Sequence, residues 1–283
     1  MIEIITDSTC DVPEELVKEQ NIQIIPHLII WGEEQFHDRV DLSPKAFYER
    51  LTTDSRRPTS SQASIQDFKN AFEAAETRGA SEIIMLTVSS AMSGAYQCAL
   101  NAAKLVKIPV SVVDSKGPTM TLGWQTLAAA RARNAGASVA EILAELEKIR
   151  SRMAQFVCMD TIEYLQHGGR IGNAIKWVGG LLQVKPLVSI NHQSGLVEPV
   201  FLARTHHLVV DMMYKKFFQQ IGEKTKLHIA VLHGNVEEEA CALAERIRQE
   251  FNPAEVLVNI TGPVLGINTG PGALALCGYS EPA

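Results

Sequence analysis

The sequence predicts an α/β fold in two parts, an N-terminal α/β domain built on a parallel sheet and a C-terminal α+β domain. In the first half, short apolar runs rich in β-branched residues alternate with helical patterns, which is typical of a parallel sheet covered by helices. In the second half, residues 186–203 form two apolar runs around Gln193-Ser194-Gly195, which indicates a hairpin. This change of pattern between residues 151 and 160 divides the chain into predicted domains of residues 1–155 and 156–283.

The predicted strands are short apolar runs bounded by polar or glycine-bearing segments. They cover residues 3–6, 22–30, 82–88, 110–113, 155–159, 187–190, 197–202, 227–232 and 255–260.

The predicted helices carry start signals. Pairs of residues with capping-box spacing mark several of them. These pairs are Asp11 with Glu14, Ser64 with Asp67, and Ser138 with Glu141. Ser43-Pro44 predicts a further start, with serine as the N-cap and proline in the first turn. After Ser64, Phe68 and Phe72 recur at helical spacing, which predicts one buried face.

Composition narrows the function classes. The 283 residues include 26 Lys and Arg against 32 Asp and Glu, which gives a net charge of −6. Nucleic acid and anionic membranes do not attract an acidic protein at long range, so we expect neither as the main partner. A chain with 46% hydrophobic and 20% charged residues is not a disordered one. Its apolar content predicts a large core, a subunit interface or an apolar ligand cavity.

The first residues, the length of the apolar runs and the cysteines together predict the cellular compartment. Residues 1–6 read as a strand and not as a secretory signal, and no apolar run reaches the ~18 residues of a membrane-spanning helix. The five cysteines are scattered and contain no C-x-x-C pair, so we expect neither a disulfide framework nor a zinc site. We therefore expect a cytoplasmic protein with reduced thiols and no integral membrane segment.

Polar segments lie where strands end or helices begin, at residues 6–11, 58–62, 89–97 and 168–172, and the last two contain glycine. In open α/β sheets, ligands bind at the carboxyl ends of the strands, so these segments are candidate site residues. Ser93-Gly94 precedes a helical pattern, and a helix start offers free backbone N–H groups to an anionic group. The alternative interpretation is that Ser93 is only an N-cap.

Ser93 also supports an enzymatic hypothesis. Residues 91–95 resemble a nucleophile elbow, although they lack its first glycine. Asp114 and several histidines follow in the order of a hydrolase triad, which leaves a serine hydrolase or thioesterase acting on acyl groups as the alternative function. These histidines are His206, His207, His228 and His233. The histidines lack neighbouring carboxylates at ligand spacing, so we expect no metal site.

A set of motifs then resembles, in its order along the chain, the DegV family of bacterial fatty-acid-binding proteins. The motifs are Asp7-Ser8-Thr9-Cys10-Asp11, residues 58–62, residues 93–97, Val113-Asp114-Ser115, residues 163–172, Lys185-Pro186, Ala203-Arg204-Thr205 and Gly270-Pro271-Gly272. The resemblance implies that one long-chain fatty acid, such as palmitate, lies between the two domains. It further implies that a separate fatty-acid kinase phosphorylates the bound acid for lipid metabolism. On this interpretation the protein is a carrier and not an enzyme, and the fatty acid is its ligand, with no cofactor.

The resemblance also implies site residues. Ser93 falls on the family's carboxylate-binding serine, and Ser60 falls where most members have a threonine with the same role. Gly94 would offer its backbone N–H to the carboxyl group.

Two arginines and an asparagine complete the implied site. Arg170 and Arg204 match family arginines near the head group or the kinase-facing surface. We expect Arg170 at the ligand and Arg204 toward the partner or the transferring phosphate. Asn268 stands where many members have a histidine. Its amide donates hydrogen bonds to a carboxylate but, unlike imidazole, does not exchange a proton with it.

Overall fold

The computed structural model describes residues 1–177, 184–222 and 225–281. The strands are β1 Ile2–Asp7, β2 Ile22–Ile25, β3 Leu28–Trp31, β4 Glu34–His37, β5 Thr59–Ser61, β6 Glu82–Thr87, β7 Val110–Asp114, β8 Ala154–Cys158, β9 Lys185–Asn191, β10 Leu196–Ala203, β11 Leu227–His233, β12 Glu255–Ile260 and β13 Leu274–Ser280. The α-helices are α1 Glu14–Glu19, α2 Pro44–Thr53, α3 Ile65–Thr77, α4 Ala95–Ala103, α5 Met120–Asn134, α6 Val139–Ser151, α7 Glu163–Gly168, α8 His206–Gln220, α9 Glu237–Phe251 and α10 Pro263–Thr269. Short 3₁₀ helices span Ser8–Cys10 and Gly172–Trp177.

A parallel sheet in the order β2-β1-β6-β7 forms the first half of the fold, which confirms the predicted α/β class. The single strand predicted for residues 22–30 is wrong, because β2 ends at Ile25 and β3 begins at Leu28. Pro26 between them has no N–H to donate to a strand ladder, so the parallel sheet ends there. Strand β3 instead pairs with β4 and β5 in a small antiparallel sheet, and neither of these strands was predicted.

A mixed sheet in the order β10-β9-β8-β13-β11-β12 forms the second half. Strands β9 and β10 pair antiparallel around residues 193–195, which confirms the predicted hairpin. Gly195 has a φ of 75°, and a β-carbon there would lie 2.1 Å from Ser89 Oγ, so this turn requires glycine. The Ser89 hydroxyl donates to the Gly195 carbonyl at 2.9 Å and holds the hairpin against the parallel-sheet half.

The helix starts at Ser64, Ser138 and Ser43 are confirmed. Ser64 and Ser138 form complete capping boxes, and the Ser43 side chain accepts from Ala46 N. The predicted cap at Asp11 is wrong, since α1 has Pro13 as its N-cap. The Asp11 carboxylate is fully buried and accepts instead from Gly262 N and from the Arg39 guanidinium.

Helix α5 lies between the two large sheets and is buried on nearly all sides, as expected of a helix without a polar face. Its Thr126 hydroxyl donates to Thr6 of β1, and its Trp124 indole N–H donates to the Cys277 carbonyl of β13. One apolar core therefore runs from the parallel sheet to the face of the mixed sheet that is turned toward it. We call this the near face, and the opposite one the far face. Helix α8 packs against strands of the mixed sheet and α9 packs against β11 and β12, and with the far face they enclose a second core.

The division into domains at residues 155 and 156 stays a prediction, and β8 spans that position. None of the helices in the described part of the chain is long and apolar enough to cross a membrane.

Candidate functional site

A pocket lies between the carboxyl ends of the parallel strands and the near face of the mixed sheet. Its empty volume is about 940 Å³, which includes space open to solvent at its mouth. A residue that follows each parallel strand lines it: Thr9 after β1, His27 after β2, Val88 after β6 and Pro118 after β7. This position agrees with the rule that ligands of open α/β sheets bind at strand carboxyl ends.

Apolar side chains form most of the pocket wall. The mixed sheet contributes Val157, Val188, Ile190, Val197, Leu232 and Ala275. Such a wall has no hydrogen bonds to offer, so it favours a ligand with a long apolar part.

Four of the six predicted site residues line this pocket: Ser60 in β5, Ser93 before α4, Arg170 after α7 and Asn268 in α10. We call these four residues the polar end. The segments that carry Ser93, Arg170 and Asn268 contact one another. Arg170 Nε donates to the carbonyl of Met92, the neighbour of Ser93, at 3.1 Å, and Asn268 Oδ1 lies directly over Gly168, two residues before Arg170.

Gly94 is the N-cap of α4 and lies beside the polar end. A β-carbon there would lie 3.2 Å from Nε2 of Gln62, another residue of the pocket wall. The interpretation of Ser93 as the N-cap is therefore wrong by one residue. The Ser93 hydroxyl accepts from Ala95 N at 3.2 Å, which leaves its own hydrogen for a further acceptor.

Arg170 provides the positive charge of the polar end. Its guanidinium donates to two backbone carbonyls, those of Met92 and Gly168, the latter at 2.7 Å. Among the described residues, no carboxylate pairs with it. Its charge is therefore held in position but not neutralised by the protein, which suits an anionic group at the pocket mouth.

Asn268 is held in place by its own helix, since Nδ2 donates to the Val264 carbonyl at 2.9 Å. Its Oδ1 is buried without a hydrogen-bond partner among residues the structure describes. A β-carbon at Gly168 would lie only 2.0 Å from this oxygen, so glycine at position 168 is needed for the close approach of α7 and α10.

Arg204 lies apart from the pocket. It is exposed on the segment between β10 and Thr205, which is the N-cap of α8. The structure therefore does not bring it together with the polar end.

Asp7 positions two parts of the pocket wall. Its fully buried carboxylate accepts from Thr9 N at 3.0 Å and from Val88 N at 2.8 Å. These bonds fix the segments after β1 and β6 relative to each other.

Several polar residues of the pocket wall were not predicted: His27, Gln155, Thr119, Thr261 and Thr269. His27 is 3% exposed, and its Nε2 lies 3.9 Å from Asp7 Oδ2. Burial lowers the pKa of His27, although the Asp7 carboxylate opposes this shift. Gln155 occurs at an inward position of β8, where strand alternation predicts an apolar residue. A polar residue at such a position is the sequence signal that could have marked Gln155 as a site residue.

The hydrolase triad is not assembled. His206 contacts Glu239, and His228 contacts Glu255 and Glu281. Asp114 accepts from Ser90 and Lys116. None of the four histidines proposed for the triad lines the pocket beside Ser93.

The fold and site together define a class: an α/β protein with two large sheets and, between them, an apolar pocket that has a polar end. The sequence matches the family model described as an uncharacterised protein of the DegV family over residues 1–281. The chain belongs to the DegV family.

Relatives support this membership in sequence and in fold. The chain is 32% identical to a DegV domain-containing protein of Staphylococcus aureus over 96% of both chains. It resembles the structure titled fatty acid binding of a DegV family protein from Thermus thermophilus, with 29% identity, 99% coverage of both chains and a TM-score of 0.91. DegV of Bacillus subtilis, titled a fatty acid binding protein, has 28% identity, 99% coverage of both chains and a TM-score of 0.90.

Proposed function

We propose that this protein binds a long-chain fatty acid in the pocket, with the acyl chain along the apolar wall and the carboxyl group at the polar end. The observation that carries the proposal is an apolar pocket that has hydroxyl, amide and guanidinium groups at its polar end. A fatty acid has the same distribution of polar and apolar parts. Structures with similar folds, from Thermus thermophilus and Bacillus subtilis, are titled as fatty-acid-binding proteins.

The apolar wall supplies most of the affinity. Burial of ~15 methylene groups at ~0.8 kcal/mol each contributes roughly 12 kcal/mol before ordering costs. The polar end then sets the orientation of the acid. The hydroxyls of Ser60 and Ser93, the backbone N–H of Gly94 and the second hydrogen of Asn268 Nδ2 are the proposed donors to the carboxyl group. Arg170 favours the ionised form of this group.

The bound acid is the substrate of a separate fatty-acid kinase, which forms an acyl phosphate on the presented carboxyl group. The polar end supports this step because Arg170 is exposed at the mouth of the pocket. Arg204 is also exposed, and we assign it to the surface that meets the kinase. A planar, permanently charged guanidinium suits both a phosphate and an acidic partner surface.

The first experiment is mass spectrometry of an organic extract of the folded protein, followed by measurement of the dissociation constant for palmitate. We expect a stoichiometric long-chain acid in the extract. Ser93→Ala removes one head-group donor, so its dissociation constant rises about three- to tenfold while the protein stays folded. An empty extract and no palmitate binding contradict the proposal. Ester hydrolysis that disappears in Ser93→Ala supports the hydrolase instead.

The kinase surface is tested with the palmitate-loaded protein, a fatty-acid kinase and Mg-ATP. Arg204→Ala lowers the rate of acyl phosphate formation about tenfold, because a surface charge at the contact is lost, while palmitate affinity stays unchanged. Arg152→Ala, at another exposed arginine, is the matched control and keeps the wild-type rate. Equal rates for the two variants contradict the role of Arg204.

A further inference from the structure

One side chain of the pocket wall does not match an unsubstituted acyl chain. Gln155 lines the pocket and is fully buried, on the same face of β8 as Val157. Its Oε1 accepts from the Thr121 hydroxyl of α5. Its Nε2 is buried and has no hydrogen-bond partner among the residues that the structure describes.

An unpaired amide N–H in an apolar wall is unfavourable, costing ~1–3 kcal/mol. The residue opposite Gln155 on β13 does not supply an acceptor for Nε2. This residue is Cys277, and its thiol contacts Oε1, at 3.9 Å. The neighbouring inward side chains, Val157 and Ala275, offer no acceptor. The remaining direction for a hydrogen-bond partner is the inside of the pocket.

Gln155 lies away from the polar end. It lies opposite Cys277, three residues (about 10 Å along the strands) from the pair of Cys158 and Leu274. Beyond that pair β8 leads to α7 and Arg170, and β13 is preceded by α10, which contains Asn268. A ligand whose carboxyl group is at the polar end therefore meets the Gln155 amide along the distal part of its acyl chain.

We propose that the preferred ligand is a hydroxylated long-chain fatty acid, whose distal hydroxyl binds the Gln155 amide while its carboxyl group binds the polar end. This inference rests on the proposed function and names its substrate class. A hydroxyl oxygen accepts from the Nε2 hydrogen and so supplies the partner that the pocket wall lacks. A saturated, unsubstituted chain leaves the amide unpaired.

The test compares the dissociation constants of stearic acid and of positional isomers of hydroxystearic acid with the hydroxyl in the distal half. The wild type binds the best isomer about tenfold more tightly than stearic acid. Gln155→Met keeps a similar side-chain volume and lowers this ratio to about one, mainly by tighter binding of stearic acid. Gln62→Met, the same substitution beside Gly94, is the matched control and keeps the wild-type ratio.

The outcomes separate the two proposals. If neither stearic acid nor any isomer binds, the proposed function fails. If both bind with similar dissociation constants in the wild type, or if Gln155→Met keeps the tenfold ratio, this inference fails and the proposed function stands. Thermal unfolding checks that Gln155→Met is folded. If it is not folded, the wild-type ratio of the two dissociation constants decides. The mass of the extracted acid is the second readout, and it should exceed that of the saturated parent acid by one oxygen atom.

Discussion

The two faces of the mixed sheet differ in what their side chains contact, although the same strands form both. On the far face, Phe156 of β8 and Leu276 of β13 pack in the core enclosed by α8 and α9. On the near face, the adjacent residues Val157 and Ala275 line the pocket. Backbone pairing is shared by both faces, since β8 and β13 form one antiparallel ladder. The pocket therefore depends on side-chain size and on what covers each face, and not on strand geometry.

The near face is covered only in part. Helix α5 contacts β13, whereas the pocket occupies the space in front of β8, β9 and β10. Substitutions on the near face should then change ligand binding, and substitutions on the far face should change stability.

The strongest test of this comparison is Ala275→Phe on the near face. A phenyl ring in the pocket displaces about three or four methylene groups of a bound acid, which corresponds to roughly a hundredfold increase in the dissociation constant for palmitate. Stability changes little, because the ring enters existing empty space. Isothermal calorimetry and urea unfolding measure the two quantities.

Phe156→Ala on the far face is the matched control. Loss of a buried ring from a packed core should lower the free energy of unfolding by ~3–5 kcal/mol, with palmitate affinity unchanged in the folded protein. If Ala275→Phe destabilises the protein as much as Phe156→Ala does, and palmitate still binds, the comparison is wrong.

A smaller effect concerns pH and the histidine of the pocket wall. Burial lowers the folded-state pKa of His27 below its ordinary value of 6.5. The neutral form is therefore favoured by folding, so its stabilising contribution is present above pH 6.5 and is lost as the pH falls toward the folded-state pKa. His27→Leu removes this dependence.

The measurement is urea unfolding of both proteins above and below pH 6.5. As the pH falls, the wild type should lose more free energy of unfolding than His27→Leu does. Parallel pH profiles for the two proteins would mean that His27 titrates normally in the fold.

Much of the fold follows from local pattern. The alternation of strands and helices, the hairpin at residues 193–195 and the capping boxes at Ser64 and Ser138 are each determined by residues close in sequence. Strand β13 was missed because its sequence contains no β-branched residue and includes Gly278, whereas the equally buried β11 has Ile229 and Val231.

The site was only partly predictable. Ser60, Ser93 and Arg170 lie in motifs recognisable by their order along the chain, Asn268 lies two residues before the last of these motifs, and all four line the pocket. His27 and Gln155 lie in no such motif. Which face of a strand lines the pocket depends on contacts between segments far apart in sequence. The local spacing of residues does not predict these contacts.

The position of β13 has a consequence for how the chain folds. It lies between β8 and β11, inside the mixed sheet, yet it follows every other strand of that sheet in sequence. During synthesis the parallel sheet is available first, whereas the mixed sheet stays open along two unpaired edges until β13 emerges. Such long-range pairing slows folding and exposes strand edges to aggregation. Heterologous expression at low temperature should therefore raise the yield of folded protein, because hydrophobic association weakens on cooling.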